Sequence, residues 1–256
     1  MADIALRQRK STELVDAAFQ IYRRDPLQFI LAVALIYVPW MVLRLVLGIG
    51  LNADQPLAIG AVVISAIGGG LVYTFAGGVT TILASDVYFG RPTDLARAFR
   101  TVATHIVPLI LTMVISFVTI VVAAIFLLFP ALYPIARFFA VRQVVVLEDG
   151  STGQAFSRSS TLSDGTKRHI LNTLVLIALL VYAISLGAGL LFTLLHSRIL
   201  QVTLGTALSA VVYPLFGITE TLLYYDTRIR KEGFDVEYLA SIGPVDGLSA
   251  APALPT

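Results

Sequence analysis

TVATHIVPLILTMVISFVTIVVAAIFLLFPALYPIA, residues 101–136, runs for 36 positions between Arg100 and Arg137 without a lysine, arginine, aspartate or glutamate. An α-helix rises 1.5 Å per residue and about 20 mostly apolar residues cross the hydrocarbon of a bilayer, so this stretch holds one crossing and the start of the next. Phe129-Pro130-Ala131-Leu132-Tyr133-Pro134 marks the division. Two prolines four positions apart interrupt the helical hydrogen-bond ladder, which predicts a tight turn there.

Working outward, the windows 26–43, 55–85, 170–197 and 199–219 are equally free of these charges. The predicted fold class is all-α: a polytopic integral membrane protein with six transmembrane helices, near 27–49, 57–86, 105–129, 131–147, 170–195 and 200–225, and short amphipathic interfacial helices. These form a single helical membrane domain over 1–240, and 241–256, rich in Gly, Ala, Ser and Pro, reads as a disordered cytoplasmic tail. The composition agrees. Of 256 residues 57% are apolar and 13% charged, and the mean hydropathy is +0.86, whereas soluble domains carry near a quarter charged residues. That balance excludes disorder over most of the length and nucleic acid as a partner. The absence of cysteine excludes a disulfide-stapled module.

Basic residues flanking spans are retained on the cytoplasmic side. Arg7, Arg9, Lys10, Arg23 and Arg24 precede the first span; Arg91, Arg97 and Arg100 follow the second; Arg158, Lys167 and Arg168 follow the fourth; Arg228, Arg230 and Lys231 follow the sixth. Fourteen of the 18 Lys and Arg thus fall on one side, against Arg198 on the other. The expected location is a bacterial inner (plasma) membrane with both termini cytoplasmic. No cleavable signal peptide is apparent, because the first apolar stretch starts late and runs too long for a signal core.

A unit recurs before the first, third and fifth spans: Thr12-Glu13-Leu14-Val15-Asp16-Ala17-Ala18-Phe19, Thr93-Asp94-Leu95-Ala96-Arg97-Ala98-Phe99 and Ser151-Thr152-Gly153-Gln154-Ala155-Phe156. Each begins with a hydroxyl able to cap a helix and ends in Ala-Phe. Internal duplication explains the recurrence; so does the amphipathicity that any linker lying on a membrane acquires. Ala66, Gly70, Thr74 and Gly78 in the second span, and Ala183, Ser185, Gly187 and Gly189 in the fifth, read as small-residue faces for close helix packing. Pro39, Pro108, Pro134 and Pro214 are expected to kink spans.

Charge inside hydrocarbon is expensive and is usually paired or functional. Arg137 and Arg142 on the fourth span and Glu220 on the sixth form a candidate intramembrane ion pair or lipid-phosphate site, Glu220 neutralising either arginine or the arginines receiving a phosphate. Snorkelling to headgroups is the competing reading for Arg44 and Arg142. Catalytic signatures are missing: there is no His-Glu-x-x-His, Gly-x-Ser-x-Gly or phosphate-cradling loop. His105, His169 and His196 fall near span ends on different sides, so no metal site or cofactor is expected.

Leu147-Glu148-Asp149-Gly150 with Ala155-Phe156-Ser157-Arg158-Ser159, and Leu223-Tyr224-Tyr225-Asp226-Thr227-Arg228-Ile229-Arg230-Lys231-Glu232-Gly233-Phe234-Asp235, resemble the membrane domain of bacterial glycerophosphoryl diester phosphodiesterases over roughly residues 10–240. The closing stretch reads as an exit from the bilayer: Tyr224 and Tyr225 at headgroup level, a charged turn through Asp226, Arg228, Arg230, Lys231 and Glu232, and Gly233 as a stop. The resemblance implies a helical membrane module sometimes fused to a hydrolase; here the catalytic domain is absent, so phosphodiesterase activity is not expected. The expected function is that of a non-enzymatic scaffold or lipid-interacting accessory, with anionic phospholipids and a membrane protein as partners. The alternative is a small transporter or exporter, which predicts that Arg137 and Glu220 share one water-accessible cavity.

Overall fold

A computed structural model describes residues 7–47, 59–126 and 128–241. The expected tail lies outside them except for Ser241. Among the described residues the structure is all helical: α1 (Ser11–Arg24), α2 (Pro26–Val46), α3 (Ile59–Tyr88), α4 (Leu95–Thr104), α5 (Ile106–Phe126), α6 (Leu128–Arg137), α7 (Val141–Leu147), α8 (Thr152–Ser163), α9 (Lys167–Phe192), α10 (Arg198–Glu232) and α11 (Phe234–Ser241). Five of these, α2, α3, α5, α9 and α10, are long and apolar enough to cross a membrane. Their outward faces carry bare apolar side chains, including Val107 at 63% and Leu190 at 62% exposure, a surface that suits lipid and that soluble monomers rarely present.

The segment expected as a fourth span, 131–147, is instead divided between α6 and α7. Phe138, Phe139 and Ala140 interrupt it, and Ser159 of α8 fills the break. The Ser159 hydroxyl donates to the Arg137 carbonyl at 2.8 Å and accepts the Ala140 N–H at 3.1 Å. It thereby satisfies backbone groups that a broken helix leaves open in an apolar setting. The predicted turn over Phe129–Pro134 is corrected as well. These residues are helical, because Pro130 falls in the first turn of α6, where a missing N–H forfeits no ladder bond; the point between α5 and α6 is residue 127, outside the described residues.

Packing is concentrated at the end of the bundle that carries α1, α4 and α8, here termed the basic end. The buried residues of α2 are Phe29, Ala32 and Val33, and those of α9 are Ile170, Thr173, Leu174 and Ile177, all near the start of their helices. α10 runs through the centre against α1, α2, α3 and α9. With 35 residues it is about 52 Å long, well beyond the roughly 30 Å of hydrocarbon. The charged turn expected at Asp226–Glu232 is therefore a continuation of this helix. It stops at Gly233, whose φ of +65° only glycine adopts readily and whose N–H bonds the Ile229 carbonyl at 3.2 Å.

The three short helices turn their apolar faces onto the bundle. Ala18, Ala98 and Ala155, the alanines of the recurring unit, are each 0% exposed, while Phe19, Phe99 and Phe156 pack on core residues. Their starts differ in detail. Lys10 rather than Thr12 precedes α1, Asp94 caps α4 by accepting the Arg97 N–H at 3.0 Å, and Ser151 caps α8 with Gln154. Ala98→Leu is expected to overpack the α4 contact and destabilise the protein by about 1–3 kcal/mol. Ala96→Leu, on the exposed face, should change stability by less than about 0.5 kcal/mol; equal melting temperatures for the two variants would refute the assignment of faces.

Candidate functional site

The interior charges meet between α3, α7 and α10. An Arg142 guanidinium N–H donates to Glu220 Oε2, and the pair is shielded, with side chains 11% and 10% exposed. Tyr73 donates its hydroxyl to Glu220 Oε1 at 3.3 Å, and its ring lies 5.1 Å below the guanidinium. Tyr213 donates to the Tyr73 carbonyl at 3.0 Å and meets that ring edge-on at 5.6 Å. Arg142 reaches this position across Gly77, where any Cβ would overlap its guanidinium. Snorkelling of Arg142 is thereby replaced by pairing with Glu220, one of the two partners open to it. Arg44 lies half-buried in the last turn of α2.

Beside this quartet is a cavity of about 480 Å³ walled by α3, α5, α6, α7, α9 and α10. Its walls are largely apolar and aromatic, with Arg142, Glu220 and Tyr73 at one side. Gly70, on its α3 wall, approaches Met113 of α5: a Cβ there would sit 3.3 Å from the sulfur. Gly78 likewise abuts Val102 of α4. The small-residue face of the second span is thus a packing face at these positions, while at Gly187 and Gly189 of the face expected in the fifth span an added Cβ would meet nothing within 4 Å among the described residues.

Arg137 is not brought to Glu220. Its Nε donates to Ser160 Oγ at 2.9 Å and its NH1 to the Tyr133 hydroxyl at 3.4 Å. With Lys167 and Lys231 it lines a separate cleft of about 510 Å³ at the basic end, which also presents Ser160 and Thr161. Lys167 bonds Asp164 at 3.0 Å, and this contact, first of all the hydrogen bond, holds the exposed Asp164 carboxyl below its usual range. Arg137 and Lys231 form no ion pair with a carboxylate among the described residues.

The closing motif holds the basic end together from within. Tyr224 and Tyr225, expected at headgroup level, are 0% and 4% exposed because α10 continues past them into the packed end. Tyr224 donates to Glu148 Oε1 at 2.6 Å, and Tyr225 shares a 2.7 Å hydrogen bond with Ser85. Glu148 and Glu232 both engage Arg158, raising its pKa, with the hydrogen bond to Glu232 the larger cause; Arg228 bonds Glu232 at 3.1 Å and stacks over Phe234. A parallel latch joins Asp86, at the end of α3, to Arg97 of α4.

Asp226 is a hub, 2% exposed, that accepts the Arg9 N–H at 2.7 Å, Arg230 Nε at 2.6 Å and His169 Nε2 at 3.0 Å. His169 Nδ1 lies 3.4 Å from Ser11 Oγ, which accepts from Thr173 at 2.9 Å. The order Ser11–His169–Asp226 is that of a hydrolytic relay. With Asp226 committed to Arg9 and Arg230, and Ser11 receiving Thr173, its evident physical effect is to tie α1 to α9 and α10. Separations of 158 and 57 positions hid this cluster from sequence reading. His105 meets Asp149 instead, and no group of metal-ligating side chains occurs among the described residues. Comparison of the chain with protein-family models, curated proteins and solved structures finds no match.

Proposed function

We propose that this chain is a bacterial inner-membrane protein without enzymatic activity of its own, a lipid-interacting accessory that binds an anionic phospholipid headgroup in the cleft of Arg137, Lys167 and Lys231. The carrying observation is that cleft: Arg137, Lys167 and Lys231 line it with the Ser160 and Thr161 hydroxyls, its two carboxylates are engaged, Asp164 by Lys167 and Glu232 by Arg158 and Arg228, and Arg137 and Lys231 lack a carboxylate partner among the described residues. A phosphate accepts well from such a set, Arg137 offering directional donors and the lysines compact charge.

The topology in this proposal has six crossings and both termini cytoplasmic. The fourth crossing is assigned to α6 and α7 together, residues 128 to 147, a segment broken at Phe138–Ala140. The basic residues before the first and after the second, fourth and sixth spans then lie beside anionic headgroups. The likeness to the membrane domain of glycerophosphoryl diester phosphodiesterases is consistent with a helical membrane module. A transport route built on Arg137 and Glu220 needs both on one cavity; their placement on separate ones favours lipid binding.

Native mass spectrometry of the full chain with phosphatidylglycerol tests the proposal. Arg137→Ala/Lys231→Ala removes two charges worth about 1 kcal/mol each near a membrane surface, so its affinity should fall roughly thirtyfold, with phosphatidylcholine binding unchanged. Equal phosphatidylglycerol retention by wild type and variant would sink it.

A further inference from the structure

His105 sits where α4 ends and α5 begins, and both of its ring nitrogens face acceptors. Nδ1 lies 2.7 Å from the Thr101 carbonyl oxygen and Nε2 lies 3.0 Å from Asp149 Oδ1. A carbonyl and a carboxylate oxygen only accept, so each contact needs a proton on the ring, and a neutral imidazole carries one proton for the two. The imidazolium alone satisfies both. The Thr101 carbonyl is open to a side chain because the His105 N–H turns to the Val102 carbonyl at 3.1 Å. The last carbonyls of a helix are its negative pole, so the end of α4 also favours a cation at this position.

His169 is the contrast. Its Nε2 faces Asp226, but its Nδ1 faces a hydroxyl, Ser11 Oγ at 3.4 Å, and a hydroxyl donates as well as accepts. A neutral ring satisfies both contacts there.

Asp149 gives the His105 contact its consequence. It lies in the turn between α7 and α8, where the Gly150 N–H bonds the Val144 carbonyl at 3.3 Å, and at φ +52° it is the one non-glycine with positive φ among the described residues. Such a residue is held by its surroundings more than by its own preference, and the cation that pairs with its carboxylate is His105. The other charges on the elements packed here are mostly committed elsewhere. Asp94 caps α4 at its far end, Arg97 and Arg91 pair with Asp86, Arg158 with Glu148 and Glu232, and Arg142 with Glu220. Arg100 is exposed on α4, and α5 has no ionisable side chain.

We infer that His105 and Asp149 form a pH-sensitive latch: the imidazolium bridges the end of α4 to the α7–α8 turn, and loss of its Nε2 proton as the pH rises frees the turn. The contact is present at low pH and lost across the range of about pH 5–8 in which imidazoles change charge. The latch holds the start of α8 whatever the cleft binds, so it stands or falls apart from the proposed function.

The test uses the full chain in phosphatidylcholine nanodiscs, with isotope-labelled histidine followed by nitrogen NMR. The chain has three histidines, and His169→Gln/His196→Gln leaves the His105 signals alone. Both ring nitrogens should be protonated at about pH 5, and at about pH 8 the remaining proton should sit on Nδ1. Hydrogen exchange at the Gly150 amide, divided by its intrinsic rate at each pH, should be about threefold better protected at the lower pH, the scale of one exposed ion pair. Asp149→Asn, which keeps a side chain tolerant of left-handed backbone, should show the weaker protection at both pH values, and His169→Gln should leave the pH dependence in place. A His105 ring that is neutral at about pH 5, or whose neutral form carries its proton on Nε2, would overturn the inference. So would a Gly150 protection that ignores pH, that keeps its pH dependence in Asp149→Asn, or that loses it in His169→Gln.

Discussion

Glu220→Ala is expected to be the most damaging single substitution in the interior, because it leaves the Arg142 guanidinium buried without its counter-charge. Removing one partner of a buried pair costs about 3–5 kcal/mol, which for a chain of this size is a fall of roughly 10 °C in Tm. Tyr73, whose hydroxyl donates to Glu220, offers no replacement acceptor without turning away from the carboxylate's place. Gly77→Ala should approach the same loss by a different route, since its Cβ would occupy the guanidinium's position. The double variant Arg142→Met/Glu220→Gln, which removes both charges while keeping volume, should recover most of the stability, because well-packed neutral replacements of buried pairs are often close to neutral. Thermal unfolding of the purified protein in one detergent measures all three. An unaltered Tm for Glu220→Ala, or a double variant no more stable than the single, would refute the pairing as an energetic unit.

Asp226→Ala is expected to release α1. Three donors from three segments converge on this carboxylate, the Arg9 N–H, His169 and Arg230, and Asp226 itself is 2% exposed, so each loses an acceptor held inside the packed end. The summed penalty is about 3 kcal/mol. It falls locally, because Arg9 precedes α1, Ser11 begins it, and Asp226 and His169 hold both to α9 and α10 beside the remaining bonds from Thr173 to Ser11 and from Arg230 to the Arg9 carbonyl. Trypsin should then cut after Arg23 or Arg24 at a protein concentration and time at which the wild type stays intact. His169→Ala, which removes one donor and leaves Asp226 with Arg230 and Arg9, should cost about 1 kcal/mol and cut more slowly. Identical digestion of Asp226→Ala and wild type would show that α1 is held without Asp226, chiefly by its apolar face through Leu14, Ala18 and Ile21.

These two sites differ in how far they were legible in the chain. That Arg142 and Glu220 matter follows from solvation alone: a charge in a long apolar window must find a partner or leave. Which arginine Glu220 takes did not follow. Arg137 and Arg142 are five residues apart, and the choice depends on the break at Phe138–Ala140 and on Gly77 opening the path to Glu220. The break itself depends on Ser159, a residue indistinguishable in the sequence from its neighbours Ser157 and Ser160. By its sequence Asp226 belongs to an exit from the bilayer, because charge after an apolar run usually marks one. Its burial reflects the length of α10, which continues into a packed end built by α1, α4 and α8.

Composition and periodicity determined by themselves that this chain is helical, that it carries several membrane-length segments, and that three Ala-Phe helices punctuate them, because these follow from burying apolar side chains at a fixed rise per residue. Only the tertiary structure decided that one apolar segment divides into α6 and α7, that Arg142 rather than Arg137 meets Glu220, and that Ser11, His169 and Asp226 converge. Those outcomes turn on where a serine hydroxyl or a missing Cβ lies in space, and contacts across 158 positions leave no mark on local pattern.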